Sequence, residues 1–300
     1  MNESNRVSIT QGLSPRRRAY DITMRTLLYV SAAIICALLV FLIGYILYRG
    51  VPNLSWEFLS SEESVINDIE GILPAIVNTV YVVIATLIIV LPLGVGSAIY
   101  LTEYATNKKF VSIIEFATET LSGMPSIIFA LVGMMVFCQA LGLGTSLIAG
   151  SLSLVMMTLP TIIRTTQESL KTVPQSYREG SLALGSGKWH MIRTVVLPSS
   201  VDGIVTGCIL AVGRIVGESA ILMFTAGMGM RMANFGGSSI GEFFSNFFGA
   251  AGSTLTVSLY VYAKERADFS EAFAVAVVLL VIAFVINIAA KIAGKKLKKN

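Results

Sequence analysis

The stretch REGSLALGSGKWHMIRTVVLP, residues 178–198, is a polar, glycine-bearing segment between two long apolar regions. It belongs to an amphipathic connection, residues 164–200, in which apolar and charged side chains alternate. Pro174 is placed to open a short helix, and Gly185 and Gly187 are placed to end it. A short helix that presents small residues at its surface is suited to the docking of a soluble partner protein.

The composition of the whole chain places this segment in a membrane protein. Hydrophobic residues make up 54% and charged residues 13% of the 300, and the mean hydropathy is +0.76. A soluble domain has about 25% charged residues, so this chain cannot cover itself with polar side chains. Three cysteines in apolar stretches and a single histidine predict neither disulfides nor a metal site. We therefore expect an all-α polytopic membrane protein that needs no cofactor.

Six stretches are long and apolar enough to cross a bilayer, which takes about 20 residues per helix. The first is too long for a signal-peptide core and lacks a cleavage site, so it is predicted to be a retained anchor. Pro92, Pro125 and Pro160 interrupt three spans, which membrane helices tolerate. The predicted spans are residues 27–48, 72–101, 113–141, 146–163, 201–226 and 272–292.

The basic residues indicate the orientation. Most of the 22 lysines and arginines lie in the two tails and in the connections after the second and fourth spans. By the positive-inside rule, both termini are predicted to be cytoplasmic. The exceptions are Arg49, Arg231, Lys264 and Arg266 on the opposite side and Arg214 within a span.

Two segments outside the predicted cytoplasmic side have their own interpretation. The glycine- and phenylalanine-rich segment 227–252 is either a mobile gate or an interfacial loop, and residues 254–264 are predicted to form a short helix along the outer membrane surface.

This topology divides the chain into four regions. The regions are a cytoplasmic tail (1–26), a first transmembrane helix with an acidic extracytoplasmic loop (27–71), a transmembrane domain that contains the cytoplasmic loop 164–200 (72–292) and a basic cytoplasmic tail (293–300).

Arg214 and Glu218 in the stretch AVGRIVGES, residues 211–219, are two charges within an apolar span. A charge at the centre of a membrane helix costs roughly 2.5–3.5 kcal/mol, so neither is expected to face lipid. A spacing of four predicts that they share one helix face. They form either a buried ion pair that joins helices or an anion contact in which Glu218 competes for the guanidinium.

Residues 178–198 resemble the cytoplasmic signature of ABC importer permeases, an acidic residue and two alanines followed at fixed spacing by a glycine and a Leu-Pro end. Gly180 and Ser181 replace the two alanines, and Val195 replaces an isoleucine. The resemblance implies that this segment couples to an ATPase. The matching positions are Glu179, Gly180, Ser181, Gly185, Leu197 and Pro198.

Four other stretches resemble the phosphate-specific permeases of this class, in particular their PstA-type subunit. That resemblance implies the type I ABC importer permease (MetI-like) fold with six transmembrane helices, in the cytoplasmic membrane of a prokaryote. The stretches are LPLGVGSAIYLTEYA (91–105), LSGMPSIIFALVG (121–133), LPTIIRTT (159–166) and GRIVGESAILMFTAG (213–227).

The resemblance also implies the assembly. The partners would be ABC ATPase subunits, a second homologous permease of the PstC type, an extracytoplasmic phosphate-binding protein, phosphate itself and membrane lipid, with no nucleic acid. The chain has no phosphate-binding Walker loop, because Trp189 follows Lys188 where the motif needs Ser or Thr. It is therefore expected to be a permease without enzymatic activity. Alternatives are a permease for phosphonate, sulfate or molybdate, or an ATPase-independent secondary transporter.

Several ionisable residues lie near the predicted cytoplasmic ends of the spans, and Arg164 among them has two possible roles. Arg164 either anchors its span by reaching towards headgroups or, as its family motif implies, contacts the anion on its way out. His190 is interpreted as an interfacial contact rather than a proton carrier. The acidic residues Glu103, Glu115 and Glu119 are expected to pair with Lys108, Lys109 or loop arginines.

Overall fold

The computed structural model describes residues 14–63, 70–229 and 249–299, and within these ranges it is helical without strands. The chain forms two compact units, residues 1–49 and 50–300. The first unit is one long helix, α1, whose apolar residues are exposed, as expected of a helix that crosses a bilayer. The phenylalanines of the predicted gate or interfacial loop lie outside the described residues.

Twelve α-helices are present in the described ranges, and four of them continue directly into a π-helical turn. The turns are Tyr100–Tyr104 after α3, Met134–Ala140 after α5, Ile192–Val196 after α8 and Val261–Glu265 after α11. The helices are α1 (Pro15–Gly50), α2 (Trp56–Ser60), α3 (Leu73–Ile99), α4 (Lys108–Ser122), α5 (Ser126–Gly133), α6 (Leu147–Thr172), α7 (Gln175–Ala183), α8 (Lys188–Met191), α9 (Leu197–Gly217), α10 (Ala220–Thr225), α11 (Leu255–Tyr260) and α12 (Phe269–Lys299).

Five helical segments are long and apolar enough to cross a membrane, and a bent pair of helices brings the number to six if it counts as one span. The bent pair corrects the predicted third span: α4 and α5 meet at 101° across the break that contains Pro125. Pro92 and Pro160, in contrast, stay inside continuous helices, as predicted. The predicted span 113–141 is therefore two helices rather than one.

The fourth and fifth spans differ from their predicted bounds. Helix α6 runs on to Thr172, and the fifth span starts at Lys188, so most of the predicted loop 164–200 is helical. The extension is stabilised because Leu170 is buried and the Ser169 hydroxyl donates a hydrogen bond to the Ser200 carbonyl at 2.7 Å. Most charged side chains of this stretch, such as Glu168, Lys171 and Arg193, lie on exposed helix faces.

Helix α6 lies at the centre of the second unit, between α3 and α9. Small residues allow its close approach to α9, as is common between membrane helices. A Cβ atom at Gly203 would collide with the Ser169 side chain, and one at Gly207 would collide with the Thr165 hydroxyl. This Gly-x-x-x-Gly spacing sets how closely α9 can pack on α6.

The predicted helix at 254–264 exists as α11 and its π turn, but its placement along the membrane surface is wrong. Leu255, Val257 and Tyr262 are fully buried, and α11 packs against α12 and α3. The Thr79 hydroxyl of α3 accepts a hydrogen bond from the Leu255 backbone N–H at 2.9 Å. This bond satisfies a donor at the first turn of α11 and holds the helix inside the bundle.

Candidate functional site

Arg214 lies on α9 and is partly buried against α6. Its Nη1 atom donates a hydrogen bond to the Thr161 hydroxyl of α6 at 3.4 Å. At a rise of about 1.5 Å per residue, Arg214 is about 26 Å along the helix from Leu197, and Thr161 is about 21 Å from Leu147. Thr161 therefore lies near the middle of α6, whereas Arg214 lies three residues before the end of α9 at Gly217. Thr161 was not singled out from the sequence, although a hydroxyl three residues before Arg164 in an apolar span was a usable signal.

Glu218 does not share a helix face with Arg214, so that prediction is wrong. Helix α9 ends at Gly217, and Glu218 has an extended backbone with φ −88° and ψ 118°. Its Oε1 atom accepts a hydrogen bond from the Ile221 backbone N–H at 3.3 Å, at the start of α10, and its carbonyl accepts one from the Thr256 hydroxyl at 3.2 Å. The glutamate therefore stabilises a break in the fifth span.

Arg214 and Glu218 do not form the buried ion pair that was one of the two interpretations of these residues. Among the described residues, no carboxylate lies within ion-pair distance of Arg214. A guanidinium in an apolar span is costly unless it is paired or solvated. Its neighbour here is a neutral hydroxyl, which compensates only part of that cost. An anion that carries several oxygens can bind such a group through two parallel hydrogen bonds.

Arg164 lies on α6, one turn beyond Thr161 towards the end of that helix. Its Nε donates to Glu168 Oε1 at 3.1 Å, and its Nη1 lies 3.6 Å from Glu119 Oε1. These groups line a polar cavity of about 220 Å³ between α4 and α6. Arg164 is thus exposed and already paired with two carboxylates. An anion that arrived there would have to compete with both.

Glu103, Glu115 and Glu119 each pair with a basic residue, as expected, but one of them pairs with a residue other than those predicted. Glu103 bonds Arg178 and Glu119 lies beside Arg164, both arginines near the predicted cytoplasmic side. Glu115 instead pairs with Lys171 at 3.1 Å.

The short predicted helix in the segment 173–187 is present as α7. It starts after Pro174 and ends at Ala183, and Gly185 just beyond takes φ +82°, a backbone conformation that suits glycine. The prediction of its start and its stop is therefore confirmed. Beside α7 is a surface cavity of about 780 Å³, and Leu184 at the tip is 90% exposed. Tyr177 and Leu182 of the same helix and the nearby Trp189 are exposed as well, and a group of exposed apolar side chains is typical of a protein-binding surface.

The signature residues fall into two groups. Gly180, Ser181 and Gly185 line the cavity, and Glu179 is exposed on the same helix. Leu197 and Pro198 do not line it, because they form the first turn of α9, where proline is favoured. His190 lines the cavity as well, which agrees with its interpretation as an interfacial contact.

Fold and site together are those of a polytopic helical membrane protein with an exposed short helix beside a surface cavity. The family model described as "Binding-protein-dependent transport system inner membrane component" matches residues 90–299. The chain belongs to this family, and it is accordingly a multi-pass protein of a bacterial inner membrane.

Comparisons with individual proteins agree with this family. The chain is 41% identical over 206 residues to the probable ABC transporter permease protein YqgI of Bacillus subtilis, covering 69% of this chain and 70% of that protein. It is 36% identical over 223 residues to the phosphate transport system permease protein PstA 2 of Mycobacterium bovis, covering 72% and 73%. The resemblance to PstA-type permeases is therefore confirmed.

Solved structures support the fold. A bacterial alginate ABC transporter, solved with a periplasmic protein bound to alginate pentasaccharide, superposes with a TM-score of 0.65 at 16% identity, covering 94% of this chain and 98% of that one. Together with the family match, this confirms the predicted importer-permease fold. The placement of both termini in the cytoplasm stays a prediction.

Proposed function

We propose that this chain is the permease subunit of an ATP-driven importer that carries inorganic phosphate across the cytoplasmic membrane. Its relatives named phosphate transport system permease proteins support the substrate. Its partners would be two ABC ATPase subunits, a second permease of the PstC type and an extracytoplasmic phosphate-binding protein. ATP hydrolysis would take place in the ATPase subunits, so the chain itself would not be an enzyme.

The observation that carries this proposal is the environment of Arg214. The guanidinium is partly buried in the last turn of α9, with the Thr161 hydroxyl of α6 as its polar neighbour and with no carboxylate partner among the described residues. The planar fork of an arginine binds the oxygens of a phosphate bidentately. The hydroxyl beside it supplies a further donor for the same anion. We assign Arg214 to the substrate pathway on this basis.

Glu218 and Arg164 have secondary roles in this scheme. Glu218 would limit how tightly Arg214 holds the anion, because its carboxylate would repel phosphate wherever the break in the fifth span brings the two together. Arg164 would form a second contact near the cytoplasmic exit, where the carboxylates of Glu119 and Glu168 compete with the anion and favour its release.

The exposed surface of α7 would be the docking site of an ATPase subunit. Glu179, Gly180, Ser181 and Gly185 are accessible there or line its cavity, whereas Leu197 and Pro198 would set where the fifth span begins. Closure of the ATPase subunits on ATP would move α7 and open the pathway outward, and hydrolysis would reset it inward.

Uptake of radiolabelled phosphate in a strain that lacks this permease tests the proposed function. Expression of the chain should restore uptake, and depletion of ATP with the membrane potential maintained should stop it. A large excess of unlabelled sulfate, molybdate or phosphonate should leave phosphate uptake unchanged. Competition by one of these anions would point to that oxyanion as the substrate, and uptake that persists without ATP would contradict an ATP-driven importer.

A further inference from the structure

The side chain of Arg178 on α7 connects three helices. Its Nε and Nη2 atoms donate to Glu103 Oε1 at 3.1 and 2.9 Å, in the π turn that ends α3. Its Nη1 donates to the Val173 carbonyl at 2.6 Å, and Nη2 also donates to the Leu170 carbonyl at 2.8 Å, at the end of α6. The guanidinium thereby ties the short helix to the ends of two spans.

This connection is enclosed, unlike the other ion pairs near it. The side chains of Arg178 and Glu103 are 12% and 7% exposed, whereas Lys171 and Glu115 are 58% and 41% exposed. Water screens exposed pairs, which contribute little, whereas breaking a buried pair leaves an uncompensated charge. The Arg178–Glu103 pair is therefore suited to hold two elements in a fixed relation.

A second contact joins the segment to the same π turn. The Lys188 ammonium group of α8 lies 5.0 Å from the centre of the Tyr104 ring, within the range of a cation–π interaction. Met191 and Ile192, which follow Lys188 in the chain, pack in a buried apolar cluster with residues of α3 and α6. Both ends of the segment 178–188 are thus fastened to the turn Tyr100–Tyr104.

We infer that Arg178 is a positioning residue that fixes the α7 helix to the ends of the second and fourth spans, so that a displacement of α7 moves α3 and α6 together. The inference rests on the proposed function, in which a partner ATPase displaces α7. Helix α6 also carries Thr161, about 14 Å along the helix from Leu170. The movement therefore reaches the hydroxyl that bonds Arg214.

Arginine is required at this position because of its geometry. One planar guanidinium reaches a carboxylate and two carbonyl oxygens at once, and its charge stabilises the carbonyl end of α6. A lysine keeps the charge but has a single nitrogen, so it cannot make this set of bonds. Arg178→Lys should consequently leave α7 in place and loosen its connection to the spans.

The experiment uses the complete transporter, with its ATPase subunits, partner permease and binding protein, in proteoliposomes. The readouts are phosphate transported per ATP hydrolysed and the amount of ATPase that co-purifies with the permease. Arg178→Lys and Glu103→Gln should each lower the transport ratio by roughly 2- to 30-fold, the range for residues that carry coupling between sites. Co-purification of the ATPase should stay within about twofold of wild type.

Two further variants complete the test. Arg266→Lys alters another arginine–glutamate pair, that with Glu63 outside the coupling segment, and should leave the ratio unchanged. Lys188→Gln changes an exposed residue, so it should not unfold the protein, and it should lower the ratio by a smaller factor than Arg178→Lys.

The outcomes separate the inference from the proposed function. A wild-type ratio in Arg178→Lys, Glu103→Gln and Lys188→Gln would overturn the inference while ATP-driven transport still held. Loss of transport in proportion to lost ATPase binding would overturn it as well, because it would assign Arg178 to docking alone. A wild-type complex that transports no phosphate would contradict the proposed function itself.

Discussion

Gly185 follows the end of α7, the proposed docking helix, in a backbone conformation that disfavours an added methyl group. Its φ of +82° is one that costs an L-residue about 1–2 kcal/mol. Gly185→Ala should therefore weaken binding of the ATPase by roughly 5- to 30-fold, measured by titration of the purified permease with the ATPase subunit.

Gly187 provides the matched control. It has an ordinary φ of −72°, and a Cβ there would meet no atom within 4 Å. Gly187→Ala should bind the ATPase as wild type does. Equal binding by both variants would mean that the backbone at Gly185 does not shape the docking surface.

Thr161 supplies the hydroxyl next to Arg214, and its removal tests whether that contact serves transport. A hydrogen bond contributes about 0.5–1.5 kcal/mol, so Thr161→Val should lower the initial rate of phosphate uptake by roughly 2- to 12-fold. Thr158→Val is the control, because the Thr158 hydroxyl bonds carbonyls of its own helix. An equal effect of the two changes would argue against a specific role of Thr161.

The contact partners of Arg214 and Glu103 could not be predicted from the sequence. Arg214 could be recognised as a charge in an apolar span, but its partner Thr161 lies 53 positions away. Glu103 was expected to meet a loop arginine, yet its choice of Arg178, 75 positions away, depends on the packing of α3, α6 and α7. Contacts at such separations follow from the tertiary arrangement, which hydropathy and spacing do not contain.

At the scale of helices, the close packing of α9 on α6 can be tested by its effect on thermal stability. Gly207→Ala places a methyl group against the Thr165 hydroxyl, which is already bonded to the Thr161 carbonyl at 2.9 Å. Overpacking of this kind costs about 1–3 kcal/mol, against about 1 kcal/mol gained in helix propensity. The thermal unfolding midpoint of the purified protein should fall.

Gly96 on α3 should respond in the opposite direction. It is exposed, and a Cβ there meets nothing within 4 Å. Gly96→Ala should therefore keep or raise the unfolding midpoint in the same measurement. A higher midpoint in Gly207→Ala than in the wild type would contradict the close approach of α9 to α6.

The three prolines illustrate what sequence can tell about an element and what it cannot. Pro92 and Pro160 lie within continuous helices, whereas the helix breaks before Pro125 and turns by 101°. All three follow the same rule for membrane helices, which permits either result. The outcome depends on neighbouring helices that satisfy the freed backbone groups, and those neighbours are known only from the structure.

At the scale of the whole molecule, the lengths of the apolar stretches predicted six helical spans because a bilayer imposes a minimum helix length. The described residues contain five such helices, or six if the bent pair of α4 and α5 counts as one span. The apolar stretches did not predict that residues 188–200 belong to the fifth span, because the exposed side chains of Lys188, His190 and Arg193 give this stretch the composition of a loop. Pro174 and Gly185 allowed the start and the stop of the short helix α7 to be predicted, whereas its use for docking is a proposal. Its attachment to the second span became apparent only in the folded chain.

The central claim is that Arg214 contacts phosphate on its path through the membrane. Bonds between a charged group and its partner contribute about 1.5–3 kcal/mol, so Arg214→Gln should lower the initial rate of radiolabelled phosphate uptake by roughly 10- to 150-fold. The assembled complex should still co-purify with its ATPase, and Arg25→Gln on α1, an exposed i,i+4 partner of Asp21, should transport as wild type. Wild-type uptake by Arg214→Gln in an intact complex would contradict the claim.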